Sequence, residues 1–485
     1  MARHRILRGA PGGGLSRYEK IGAPGFEPRT SATQRRRATR LRHAPTAAIV
    51  VSVGAMADVR PFRALHYDLG KVGGLAAVAA PPYDVIDAPE RARLLGLSPY
   101  NAVAVDLPKP FDPADPDSDP DSDPYEKAAA TIAEWRSLGV LVDDAEPALW
   151  ALTQDYTAPD GSQHSRHGIL AQVRVEDYET GTVRPHERTH PGPLLDRLEL
   201  TRATHLNLSP IFSLATADPW PLVEPAVQGE PWGEVTDPDG TVNRVWRVGD
   251  PSILAAVSEL LASAQLLIAD GHHRYETARA YRDEVGEERG EGDHDYALMS
   301  LTGLDDPGLT VFPTHRLLSG FAANPERMRS FGAGMRELFD SEEVGREAID
   351  PGGSDGVGVF GLYDSFHKQA YRLRLKDVEA LDRQLEGKPE AYRRLDSAIL
   401  ETLVLKGLAG MSDHDIDERN GLEYAKSVPD ALARVDSGEF DIALIQRPVP
   451  VEQVKAVAET DENMPPKSTY FFPKVMTGMV FSPVG

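Results

Sequence analysis

The chain has 485 residues, no cysteine and a formal net charge of −23. That length accommodates two or three domains, and the lack of thiols excludes disulfides, zinc–thiolate sites and cysteine nucleophiles. No apolar run approaches the ~20 residues that span a bilayer, so the sequence reads as soluble and cytoplasmic.

Charge is unevenly spread. Residues 1–55 hold eleven Lys/Arg and two Asp/Glu, a net of +9, which leaves −32 on the other 430 residues. An acidic body repels nucleic acid and anionic membranes and suits a protein kept soluble at high salt, a halophilic character. The basic segment has the composition of a transit peptide or a nucleic-acid arm. However, Gly25-Phe26-Glu27-Pro28 can be encoded by the antisense strand of a transfer RNA T-arm. The expectation is therefore a disordered, mis-called extension over 1–55 and a true start at Met56.

From Val59 onward the chain turns globular. Pro81-Pro82-Tyr83-Asp84-Val85-Ile86 is an extended, rigid loop, because two prolines fix the backbone. Residues 89–97 read as a helix and Ala102–Leu107 as a strand. The stretch 112–124, nearly all Asp, Pro and Ser, has too little apolar content to pack and reads as a disordered insertion. Residues 125–138 are helical, with Ala129, Ile132, Trp135 and Leu138 on one face, and strands follow at roughly 148–156 and 168–175. The polar, proline-rich section from Val183 to Phe212 reads as a long functional loop. It carries His186-Glu187-Arg188 and then Thr189-His190.

A helix over 251–264 leads into the apolar run Leu266-Leu267-Ile268-Ala269, a strand that Asp270-Gly271 turns. His272, His273 and Arg274 then open a segment with apolar residues at Tyr275, Ala278, Tyr281 and Val285, which is helical spacing. Backbone N–H groups at a helix start are unpaired and partly positive, so they receive phosphate or carboxylate, and Arg274 can add a bidentate fork. Cations here oppose the helix dipole, which points to an anion nearby. Surface side chains with Asp270 as a plain N-cap are the bland alternative. Further strands are expected at 297–304, 309–313, 357–363, 370–375 and 441–445. Further helices are expected at about 323–338, 378–385, 396–408 and 451–459. The chain closes with Met464 to Lys474, whose Lys467-Ser468-Thr469 is either a second cluster of phosphate donors or part of a strand packed by aromatics.

Phosphoryl transfer needs positioned phosphates, cations to spread developing charge, and a carboxylate to receive the hydroxyl proton. Asp270 to Arg274 supplies the cradle, Glu187 flanked by His186 a general base, and Lys467, Ser468 and Thr469 further neutralisation. A structural ion pair of Glu187 with Arg184 or Arg188 is the competing reading. Metal-dependent hydrolysis through His186, His190, Asp270, His272 and His273 is a rival chemistry. The spacing speaks against it, because adjacent histidines on a helix point about 100° apart. Neither a Walker phosphate loop nor a nucleophile-elbow motif is present.

Several segments carry a family resemblance. Ala80-Pro81-Pro82-Tyr83-Asp84-Val85-Ile86, Ser98-Pro99-Tyr100-Asn101, His186-Glu187-Arg188-Thr189, Leu208-Ser209-Pro210-Ile211-Phe212, Ile268 to Tyr275 and Met464 to Pro473 resemble the family known as domain of unknown function 1015, over essentially all of 59–485. The Asp-Gly-His-His-Arg turn is also similar to the signature of the ParB-like fold, shared by partitioning nucleotidases, sulfiredoxin and an archaeal kinase of free serine. That second resemblance implies a turn binding nucleotide phosphate, ATP or ADP with Mg2+ as cofactors, and Glu187 as the base that deprotonates a substrate hydroxyl. The separation of the two motifs, about 80 residues, is more than a compact ParB-like domain needs and requires an insertion.

The resulting expectation is a mixed α/β protein with a ParB-like phosphate-binding core and additional α/β elements on both sides. Its regions are 1–55, 56–180 with the insertion 112–124, 181–320 as the catalytic region, and 321–485. Its partner is a small-molecule substrate, neither nucleic acid nor membrane. A nucleotide- or metabolite-binding regulatory protein without turnover is the reading from another class.

Overall fold

Apolar strand runs in the first two thirds of the chain meet in one nine-stranded sheet, and those of the last third in a separate six-stranded sheet. The computed structural model describes residues 57–108, 123–158, 161–187, 191–460 and 462–485. The expected extension 1–55, nearly all of the Asp/Pro-rich insertion, and Arg188, Thr189 and His190 lie outside the described residues.

The large sheet contains β1 (Val59–Arg60), β2 (Leu149–Thr157), β3 (Gln163–Arg174), β4 (Val183–Arg184), β5 (Ile211–Ala215), β6 (Gly233–Thr236), β7 (Val242–Val248), β8 (Leu266–Asp270) and β9 (Tyr296–Gly303). Their spatial order is β4-β8-β5-β9-β3-β2-β7-β6, with β1 on β3. Strands from both sides of residue 180 therefore share one sheet. β4 runs parallel to β8 and β5 parallel to β9, whereas β8 is antiparallel to β5. Parallel pairs need long connections, and this mixture places β8 among strands drawn from distant parts of the chain. Every residue of β9 is buried, as expected of a strand covered on both faces.

Four helices matter for the site: α1 (Pro124–Ser137), α2 (Pro191–Thr204), α3 (Pro251–Leu261) and α4 (His272–Arg289). The buried face of α1 is Ala128, Ile132 and Trp135, spaced i, i+4, i+7. Leu138, expected on that face, is 50% exposed.

Three expectations are corrected. Pro81 to Ile86 is not extended throughout, because Tyr83–Val85 forms a 3-10 turn. Ala102–Leu107 is not a strand; Val103–Asp106 forms a short helix. The buried Asn101 decides this, because its amide donates to the Ala77 and Ala79 carbonyls while its Oδ1 accepts the Val103 N–H at 3.1 Å. The section 183–212 is not a continuous loop, because it contains α2 and begins β5. Helix α2 escapes a periodicity reading because its leucines point several ways: Leu198 and Leu200 are buried and Leu195 is 59% exposed.

The second sheet contains β10 (His315–Leu318), β11 (Phe339–Val344), β12 (Val359–Asp364), β13 (Ala370–Leu375), β14 (Leu422–Ala425) and β15 (Ile442–Ile445), in the order β11-β13-β12-β15-β10-β14. Helix α5 (Pro325–Leu338) lies on one face, through Phe331 and Met335. The protein is a mixed α/β fold. Among the described residues no helix is long and apolar enough to cross a membrane.

Candidate functional site

Strand β8 delivers the site. Its residues 266–269 are buried, and at its end Gly271 turns the chain with φ 93°, a left-handed conformation that glycine alone adopts without strain. A Cβ there would also sit 2.9 Å from the Arg274 guanidinium. Helix α4 starts at once, with Gly271 at the N-cap, no side-chain cap and no acidic residue in its first turn. Its buried residues Tyr275, Ala278 and Tyr281 keep the expected spacing.

Asp270 does not cap that helix. Its carboxylate lies between two cations: Arg274 Nη2 donates to Oδ2 at 2.7 Å, and Lys474 donates to Oδ1. Burial alone would raise the Asp270 pKa, but Lys474 and Arg274 outweigh it and hold the group below the usual carboxylate range. Arg274 also donates to the Pro210 carbonyl, so its guanidinium is held in place by the fold.

His186 and His272 lie beneath the turn as a pair of rings with centroids 4.7 Å apart. His186 Nδ1 meets the Ile268 carbonyl at 2.6 Å, so it carries the proton, and Nε2 accepts from the Thr469 hydroxyl at 2.9 Å. His272 Nε2 accepts the His186 backbone N–H at 3.3 Å. Burial lowers both pKa values, and the neighbouring His186 ring lowers that of His272 further, so both are neutral at pH 7. With both ring nitrogens occupied, His186 positions the segment that carries Glu187.

Glu187 pairs its backbone with Met464, and its Oε1 accepts the Lys467 N–H at 3.2 Å. It opens into a cavity of about 260 Å3 that Asp270, Gly271, His272, His273 and Arg274 also line. The structure thus brings the Glu187 carboxylate and the uncapped start of α4 to one space. Lys467, held at φ 55°, lines it too. Ser468 is turned away and buried, donating to the Pro465 carbonyl and sharing a hydroxyl–hydroxyl hydrogen bond with Ser397, and Thr469 is occupied with His186.

Other cleft residues come from distant parts of the chain. Tyr83 and Asp84 enter from the two-proline loop, and Asp417, Arg419 and Tyr424 from the C-terminal region. Burial pushes the Tyr83 hydroxyl up to about 12 despite Arg274 and Arg197. The Tyr424 ring has Arg316 5.1 Å and Arg419 5.7 Å from its centroid. Behind Asp270, the fully buried Arg166 donates to Gln154 at 3.0 Å, and Gln154 in turn donates to the Lys474 carbonyl. Lys474 ends the very segment in which Lys467 was picked out, and the rigid loop was visible too. The remainder carry no local signal. Among the described residues no three His, Asp or Glu side chains converge as a metal-ligand set.

No curated protein matches this chain. Among solved structures, a conserved hypothetical protein from Pyrococcus furiosus is 15% identical at a TM-score of 0.32, covering 64% of this chain and 93% of its own. A free serine kinase in complex with AMP is 15% identical at 0.32, covering 64% and 91%. SbnI with a C-terminal truncation, from Staphylococcus aureus, is 11% identical at 0.33, covering 65% and 87%. Residues 59–398 match the family described as "Protein of unknown function (DUF1015)", and the chain belongs to that family.

Proposed function

We propose that this protein is a small-molecule kinase that transfers a phosphoryl group from ATP or ADP to a metabolite hydroxyl such as that of serine. One observation carries the reading: the uncapped first turn of α4 and the Glu187 carboxylate face the same cavity. The α4 amides and the His273 and Lys467 side chains receive the nucleotide phosphates. Glu187 takes the hydroxyl proton as the substrate oxygen bonds to the transferred phosphorus, and the shortened nucleotide leaves. Arg274 and Lys474 fix Asp270, and with it the turn. The motif resemblance around Asp270–Arg274 and His186-Glu187 supports the same roles.

Mg2+ normally binds through one or two carboxylates together with substrate phosphates. Asp84 and Asp417, lining the cleft, are donors of that kind, and Mg2+ would supply further charge neutralisation. A nucleotide-dependent reaction on a free metabolite belongs in the cytoplasm.

The test is a calorimetric titration of ATP, ADP and CTP with Mg2+ at low and high salt. Serine and a panel of other hydroxyl metabolites are then added, with the products read by mass spectrometry. A phosphorylated metabolite is the expected result. Tight nucleotide binding without any product would instead make the protein a nucleotide-binding regulator, and no nucleotide binding in either salt would overturn both readings.

A further inference from the structure

The second sheet holds a cavity of about 330 Å3, larger than the cleft and sharing no residue with it. It lies between α5 and the sheet face formed by Ser341 and Glu343 of β11, Leu373 and Tyr371 of β13, Leu362 and Asp364 of β12, and Ile442 of β15. Cross-strand register puts these residues side by side: Ser341 opposite Leu373, Glu343 opposite Tyr371, Tyr371 opposite Leu362, and Asp364 opposite Ile442. Helix α5 contributes Phe331, Met335 and Arg336. The volume is within the ~300–1,000 Å3 range of small-molecule pockets.

The chemistry of its walls is specific. The body is apolar, from Phe331, Met335, Leu362, Leu373 and Ile442. Arg336 and Glu343 line the same cavity with opposite charges, yet neither forms an ion pair with another described residue. Asp364 adds a carboxylate whose side chain is only 9% exposed, braced by His367 through its backbone N–H at 2.6 Å and Nδ1 at 3.1 Å. Phe366, in the turn between β12 and β13, is 72% exposed, more than any other large hydrophobic residue described. Its ring sits 4.9 Å from that of His367 at the cavity wall.

We propose that this cavity binds an apolar L-α-amino acid. The ligand's ammonium group meets Glu343 and Asp364, and its carboxylate takes the planar fork of Arg336. Its side chain fills the apolar body. A purely apolar ligand would engage neither charge, and a simple amine would not engage Arg336. The inference is independent of the kinase reading.

Calorimetry on the full chain tests it, with L-leucine and L-phenylalanine as probes and phenethylamine as the ligand lacking a carboxylate. Arg336 and Glu343 are exposed, so Arg336→Ala and Glu343→Gln leave the fold intact, and Ser341→Trp blocks the cavity from an exposed strand position. Saturable binding of at least one amino acid is expected, weakened about tenfold or more by each variant and weaker still for phenethylamine. No binding of either amino acid, affinity unchanged in the three variants, or phenethylamine binding equally well would each overturn the assignment.

Discussion

Two consecutive helices begin in opposite ways. Helix α3 starts behind Asp250, whose carboxylate accepts the Ser252 N–H at 2.8 Å and the Ile253 N–H at 3.4 Å, with Pro251 at the first helical position. Helix α5 is capped in the same manner by Asn324. Helix α4, the longest of the three, begins behind a glycine with no cap, although Asp270 stands one residue earlier. Its carboxylate is instead spent on Arg274 and Lys474. A helix whose orphan amides are satisfied internally is architecture. One that leaves them open, beside a carboxylate from another segment, has room for a ligand.

The largest expected effect isolates the carboxylate. Glu187→Gln should cut turnover by about 10²–10⁴-fold with nucleotide affinity unchanged, measured by steady-state kinetics beside calorimetry. Retained turnover would remove the base from the site. Asp270→Asn strikes the scaffold of the same turn. It leaves Arg274 and Lys474 without their anion, and both are largely buried. Urea unfolding should show a loss of about 3–5 kcal/mol, and a loss below 1 kcal/mol would mean that the two cations find other partners.

Acid should act on the same framework. His315 is buried and titrates at about 4 when folded, against ~6.5 unfolded. Burial also holds His186 and His272 below their ordinary value. Between these limits the unfolded chain binds the extra protons, so stability is fully present above pH ~6.5 and falls as pH drops toward 4. His315 alone accounts for up to about 3 kcal/mol. Urea midpoints at pH 7 and pH 5 would read this, and His315→Gln should reduce the difference. The smallest effects contrast the helix starts directly. Gly271→Ala should cost about 1–2 kcal/mol and also weaken nucleotide binding, because the new Cβ displaces Arg274. Asn324→Ala should cost about 1 kcal/mol and leave nucleotide affinity untouched. Equal effects on binding would dissolve the distinction between the two kinds of helix start.

The α4 turn was legible because its signal is local. A strand, a glycine and a helical repeat occupy one short stretch, and Tyr275, Ala278 and Tyr281 pack where their spacing places them. The segment 183–212 was misread for the converse reason. The leucines of α2 form no single stripe, and helicity there is decided by neighbours that the sequence keeps far away. Lys467, Ser468 and Thr469 form one run in sequence, but the structure sends them three ways: to the cleft, to Ser397 and to His186. Alternation along a backbone fixes direction only when secondary structure is regular, and Lys467 sits at a left-handed kink.

The sequence by itself determined the α/β class, the family, and the β8–α4 turn, because propensity, periodicity and glycine's freedom at positive φ act within a few residues. Only the tertiary structure decided that Lys474 neutralises Asp270 from 204 positions away, that burial keeps His186 neutral while Ile268 and Thr469 fix its ring, and that Glu187 faces the helix start. Those pairings depend on which buried charges and ring nitrogens find partners once the sheet closes. That choice is set by desolvation, which no short stretch of sequence can express.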